Sequence, residues 1–138
     1  MASATVLALL GFIGWTLLLL LWMEGIRSKL VLTKEVVANG FNPENSNLSP
    51  FMQRLARAHA NCLEGLPIFG GLLLIAIVTQ KTWVTDPLAL VFLGARVIQS
   101  IIHLSSLSAI AVTLRFSFFA IQLGIAIYWC YQLYGVLA

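Results

Sequence analysis

From Met1 to Met23 no side chain carries a charge, and an unbroken leucine run fills Leu17 to Leu21. Crossing the hydrocarbon core of a bilayer takes about 20 consecutive apolar residues in a helix, because backbone groups buried in lipid must be satisfied within their own segment. The stretch therefore predicts a membrane-spanning helix over about residues 3–26. A cleavable leader is the rival reading. No basic region precedes the apolar run, however, and no small-residue cleavage pattern follows it before Arg27, so a retained helix is expected.

The rest of the chain repeats this character. Of its 138 residues 60% are hydrophobic and 9% charged, where a soluble domain holds roughly 45–50% apolar and about 25% charged residues. So much aliphatic surface on so short a chain has lipid as its natural environment, and one domain without a separate soluble part is expected. A polar loop from Arg27 to Pro50, marked by Asn39, Gly40, Asn42 and Pro43, leads to a second apolar region. That second span, over about residues 51–79, is interrupted by Arg57, His59, Asn61 and Glu64, then by Pro67, Gly70 and Gly71. After the turn Thr79 to Thr82, Asp86-Pro87 predicts a helix start, with aspartate as N-cap and proline at the first helical position. The third span is then drawn over about residues 86–104, the hydroxyl-rich break Ser105-Ser106-Leu107-Ser108 follows, and a fourth span covers about residues 111–135. The expectation is an all-α, integral membrane four-helix bundle without internal repeats.

Arg27, Lys29, Lys34 and Arg54 surround the first loop, whereas only Lys81 marks the opposite side. Counting positive charges places that loop in the cytoplasm and both termini outside. Trp83, Trp129, Tyr131 and Tyr134 then fall near the outer boundary, where amphipathic rings are favoured. The net charge of +3 is scattered rather than interleaved with aromatics along one face, which speaks against nucleic acid as a partner. Cys62 and Cys130 both lie in apolar spans and are expected to behave as small hydrophobes, not as a disulfide framework.

Arg57, Asn61 and Glu64 recur at i, i+4, i+7 and so share one stripe of the second helix. Arg96, Gln99, Ser100 and His103 follow i, i+3, i+4, i+7 in the third, again one face, and two such faces in one bundle should meet. Span two starts on the cytoplasmic side, span three ends there, and Arg115 lies just inside span four from the same side. Charges at membrane depth cost about 2.5–3.5 kcal/mol each on insertion scales, so these groups should face the bundle interior or a subunit interface and pair there, with Glu64 as the expected partner for Arg57 or another helix's arginine. A purely structural ion network that fixes helix register is the plain alternative. Against it stands the cationic excess: Arg57, Arg96 and Arg115 face one acid, Glu64, which leaves room for an anionic ligand such as a carboxylate or thiolate.

The remaining polar residues carry less. His59 lies off the Arg57 stripe, and His59 and His103 lack acid or thiol neighbours at metal-binding spacing, so no metal is expected. Ser100, Ser105, Ser106 and Ser108 have neither an elbow motif nor a paired base. Cys62 borders the polar face without an adjoining activator and reads as packing.

The run Arg57-Ala58-His59-Ala60-Asn61-Cys62-Leu63-Glu64, continued by Gly65-Leu66-Pro67-Ile68-Phe69, resembles the second-helix signature of the MAPEG family, the membrane-associated proteins in eicosanoid and glutathione metabolism. Size, four spans, a polar first loop and a fourth-span arginine extend the resemblance over essentially the whole chain. It implies a homotrimer that binds glutathione between neighbouring subunits in the inner half of the membrane, with a lipophilic substrate arriving from the lipid. Carried over by motif position, Asn61 and Glu64 would hold the glutathione backbone, Glu64 receiving its amino group, with Arg57 in support. Arg96, Gln99 and His103 would line the pocket from the third helix. Arg115, followed four residues later by Phe119, resembles the family arginine that stabilises the glutathione thiolate, and Arg27 corresponds to a basic residue that reaches a neighbouring subunit's glutathione. The chain departs from the family at Ala60, where an arginine is frequent, at His103, where many members carry tyrosine, and before Arg115, where the usual proline turn is missing. These departures bear on the reaction rather than the fold.

The leading expectation is a glutathione-dependent transferase or peroxidase for lipophilic electrophiles or lipid hydroperoxides, in a bacterial inner membrane or the endoplasmic reticulum. A noncatalytic lipid-binding scaffold, which the family also contains, is the second, and a small transporter subunit the least favoured, since matched broken helices are missing.

Overall fold

The computed structural model describes residues 2–138. Its helices are α1 (Ala4–Leu32), α2 (Pro50–Gly65), α3 (Gly71–Val78), α4 (Thr82–Ser105) and α5 (Ala109–Leu137). A single π-helical turn, Leu66–Gly70, joins α2 to α3, so the two run on as one element. Four segments are thus long and apolar enough to cross a membrane, Ala4–Leu32, Pro50–Val78, Thr82–Ser105 and Ala109–Leu137. The chain is an all-α integral membrane bundle, as its hydropathy requires.

Helix starts follow local chemistry. Ser3, Ser49 and Ser108 each stand in extended conformation and accept a hydrogen bond from the amide three residues on, at Val6, Met52 and Ala111. Pro50 opens α2, where its missing N–H costs nothing. The expected start at Asp86-Pro87 is overturned. α4 begins four residues earlier, at Thr82, and Pro87 is accommodated inside it. Asp86 caps a different helix instead: its Oδ1 accepts the Thr5 amide at 2.9 Å and the Thr5 hydroxyl at 2.6 Å, at the unsatisfied N-terminal turn of α1. The carboxylate was free to do so because a tertiary neighbour needed it more than its own helix did. Asp86→Ala is expected to lower the thermal unfolding midpoint in detergent, at a cost of about 1–2 kcal/mol for a lost cap, with Asp86→Asn in between. An unchanged midpoint in the alanine variant would show the cap to be dispensable.

The inner face of α1 is Thr5, Ala8, Phe12, Thr16, Leu19 and Met23, one helical stripe, while Leu7, Leu10, Leu17, Leu18 and Leu21 point outward. The core is aromatic. Phe92 of α4 packs on Phe12 with ring centroids 5.6 Å apart, on Phe69 at 5.1 Å and on Trp129 at 5.6 Å. Lipid is as apolar as leucine, so such interlocking surface, not the hydrophobic effect, holds membrane helices together. Trp129 therefore corrects its assignment to a boundary ring: it is fully buried in this cluster, whereas Trp83, Tyr131 and Tyr134 are exposed. The π-turn serves the same core. Pro67 cannot donate to the carbonyl a turn earlier, and the wider turn lets Phe69 and Gly70 face inward.

The first loop folds back on the bundle through Asn45, which is fully buried with a left-handed φ of 56°. Its Nδ2 donates to the Met52 carbonyl at 2.7 Å and its Oδ1 accepts from Arg27 Nε at 3.1 Å. At the same end Arg54 Nε donates to the Leu104 carbonyl at 2.8 Å, satisfying the C-terminus of α4.

Candidate functional site

The two polar stripes meet through Asn61. Its Oδ1 accepts from Arg96 Nη1 and, at 3.1 Å, from Gln99 Nε2. One residue along each helix from the Asn61–Gln99 pair, Cys62 Sγ lies 3.4 Å from Ser100 Oγ. The third-span stripe faces inward over its whole length: Arg96, Gln99, Ser100 and His103 are all buried.

The second-span stripe divides. Asn61 is half-buried at its inner edge, while Arg57 and Glu64 are exposed on the outer edge. The expected ion pair of Glu64 with Arg57 or with an arginine of another helix does not form within the chain. The one salt bridge among the described residues joins Arg27 Nη1 to Glu24 at 3.2 Å. A stripe has finite width, and the helix rotation that brings Asn61 against α4 turns Glu64 outward.

Arg96 is the unusual group of the site. Its side chain is completely buried, with the guanidinium carbon 5.3 Å from the Phe12 ring centre, 5.5 Å from that of Phe69 and 5.9 Å from that of Phe119. Aromatic faces attract a desolvated cation, yet no carboxylate contacts it, and its Nε and Nη2 are buried without a hydrogen-bond partner. Gly65 makes room for it: a Cβ there would stand 3.0 Å from Arg96 Nη2 and 3.0 Å from the Phe69 ring. Arg115 of α5 is half-buried, and its Nη1 is likewise enclosed and unpaired. Buried donors without acceptors are costly and rare in native proteins. Two arginines of this region thus keep enclosed N–H groups that no acceptor among the described residues satisfies.

That pattern of residues and spans matches the MAPEG family model across residues 5–135. The chain belongs to the MAPEG family. No individual curated protein and no solved structure matches it. As a MAPEG protein it is an integral, multi-pass membrane protein of a family that includes glutathione transferases and peroxidases among other members.

Within this MAPEG chain Arg27 stands differently from the other candidates. Its Nε and Nη2 donate to Asn45, its Nη1 to Glu24 and its Nη2 to the carbonyls of Asn42 at 3.3 Å and Pro43 at 3.4 Å, with Phe41 stacked on it. It organises the loop. Sequence reasoning missed Gln122, fully buried on α5, whose Nε2 donates to Gln99 Oε1 at 2.7 Å and to the Phe118 carbonyl at 3.1 Å. The available clue was spacing: an amide two turns after Arg115, inside an otherwise apolar span.

Proposed function

We propose that this protein is a glutathione-dependent membrane transferase or peroxidase acting on lipophilic electrophiles or lipid hydroperoxides. The observation that carries the reading is that Arg96, bonded to Asn61 through Nη1, keeps Nε and Nη2 buried without a partner, and that Arg115 Nη1 is likewise enclosed and unpaired. Glutathione supplies two carboxylates and a thiolate, which such donors complement. In this reading Asn61 and Glu64 hold the tripeptide, Glu64 receives its amino group, and Arg57, Arg96, Gln99 and His103 line the pocket. Arg115 stabilises the thiolate. A cation beside sulfur lowers the thiol pKa and raises the fraction present as nucleophile at neutral pH. The thiol proton goes to solvent. The thiolate then attacks an electrophilic carbon and displaces its leaving group. Alternatively it attacks a hydroperoxide oxygen, releasing an alcohol and leaving a sulfenic acid that a second glutathione converts to disulfide and water.

Three subunits belong to the same proposal. Arg57 and Glu64 are exposed on a spanning helix, and a bare charge facing hydrocarbon costs about 2.5–3.5 kcal/mol on insertion scales, so a neighbouring copy covers this face. In that arrangement Arg27 of one subunit approaches the tripeptide of the next.

The second reading, a noncatalytic lipid-binding scaffold, is favoured by one feature. Pro67, Ile68, Gly71, Leu72, Leu123 and Ile127 line an apolar groove of about 420 Å³ along the outside of the bundle, suited to an acyl chain. Titration of glutathione into the detergent-purified protein, beside Glu64→Gln, separates the two. Binding to the native protein that weakens at least about tenfold in the variant, the worth of one charge-assisted hydrogen bond, supports the enzyme. A folded protein that melts higher with fatty acids and never with glutathione would replace the enzyme with the scaffold.

A further inference from the structure

The buried amides of Gln122, Gln99 and Asn61 form a chain whose direction is set from both ends. At one end stands Arg96, which has donors only, so the Asn61 atom facing it is Oδ1, the acceptor. At the other stands the Phe118 carbonyl, which can only accept, so the Gln122 atom facing it is Nε2, the donor. That same Nε2 lies 2.7 Å from Gln99, whose facing atom must then be its oxygen, and the Gln99 nitrogen is thereby turned toward Asn61 at 3.1 Å. The two ends impose the same polarity on all three side chains. Amide orientation, elsewhere a choice between near-identical atoms, has one solution here.

The consequence falls on Asn61. Two donors, from Arg96 and Gln99, occupy both lone pairs of its Oδ1. Its Nδ2 has no hydrogen-bond partner among the described residues, and Asn61 is the half-buried member of the network, beside exposed Arg57 and Glu64. We infer that the Gln122–Gln99–Asn61 chain fixes Asn61 as a hydrogen-bond donor toward the ligand, so that the group recognised there is an acceptor, a carboxylate or peptide carbonyl, and that Gln122 on α5 is a positioning residue for it. The inference rests on the glutathione reading for the identity of the ligand but not for the direction of the chain. It also divides the work along the second-span motif: Asn61 offers a donor and Glu64 an acceptor, so the two suit opposite ends of a zwitterion. Gln122 anchors this network to α5.

The test uses the full-length protein in detergent, with ligand-free thermal melts, glutathione titration and steady-state kinetics. Asn61→Asp keeps the accepting oxygen toward Gln99 and gives Arg96 a counter-ion, so its ligand-free midpoint should equal or exceed the native one. Its outward atom becomes an anionic acceptor, and glutathione binding should weaken by about a hundredfold, the scale for a charged group left facing a like partner. Gln122→Met, similar in shape but without donors, should raise the KM for glutathione about tenfold, as for one lost hydrogen bond, while kcat and the KM for the lipophilic substrate stay unchanged. A general loosening of the bundle would move all three. An Asn61→Asp protein that melts well below the native one overturns the direction of the chain, whatever the ligand. Native-like glutathione binding by Asn61→Asp overturns the donor role, and an unchanged KM in Gln122→Met overturns the positioning role. If the native protein itself binds no glutathione, the glutathione reading fails, and the melt of Asn61→Asp still decides the direction of the chain.

Discussion

Arg115→Ala is expected to lower turnover with glutathione by about 10²–10³, the usual cost of removing one preorganised group that stabilises developing or resident negative charge. The expectation follows from the place of this side chain. Its Nη1 is enclosed without a partner, so it makes no intramolecular bond whose loss would unfold the protein. The effect should therefore appear in kcat, and in the ultraviolet thiolate band of bound glutathione, while the unfolding midpoint in detergent stays near the native value. Arg115→Lys keeps the charge but not the planar fork and should recover part of the activity. A chloronitrobenzene and cumene hydroperoxide as substrates would cover both proposed reactions. Undiminished turnover of Arg115→Ala with both would remove thiolate stabilisation from this residue.

Phe92→Ala should be the most damaging single truncation in the fold. The ring is fully buried and touches Phe12 of α1, Phe69 of the π-turn and Trp129 of α5, so with its own α4 it joins all four spans at one point. Removing a buried phenylalanine costs about 3–5 kcal/mol where the surroundings cannot collapse. In a bilayer or micelle the loss is mainly of packing contacts, because the vacated surface would otherwise face chains as apolar as itself. A chemical or thermal unfolding curve in detergent reads this directly, with Phe92→Leu expected to fall clearly less. Since Phe69 and Phe12 also form the aromatic surround of Arg96, the alanine variant should loosen the site along with the fold. A melt indistinguishable from native would mean that the helices are held elsewhere.

The site was partly legible in advance, and the boundary is instructive. The spacing of Arg57, Asn61 and Glu64, and of Arg96, Gln99, Ser100 and His103, placed each set on one side of a helix, and Asn61 does meet Arg96 and Gln99. Spacing alone cannot say which edge of the stripe turns inward, and Glu64 lies on the outer edge, without an ion pair to another described residue of its own chain. Gln122 escaped for a related reason. A lone amide in a long apolar span has no periodic partner of its own, and its role exists only because α5 lies against α4. Asp86 misled in the opposite way: its local pattern with Pro87 was sound chemistry for a helix start, and the amide and hydroxyl of Thr5 on another helix outcompeted it.

What the amino-acid order determined by itself is the membrane and the family: four apolar segments, the serine caps that start three of the helices, and a whole-chain pattern that matches MAPEG over residues 5–135. These are local properties, decided by transfer from water to lipid and by hydrogen bonds within a few residues. What only the tertiary structure decided is rotation. Apart from a few polar residues such as Gln122, the membrane-deep parts of α1 and α5 are apolar on every side, so nothing in their hydropathy distinguishes Phe12 from Leu10 or Trp129 from Tyr131, although the first of each pair is buried and the second exposed. In water the solvent would enforce that distinction through the sequence. In lipid both faces are equally soluble, and the choice falls to shape and to the few polar groups that must find each other across the bundle.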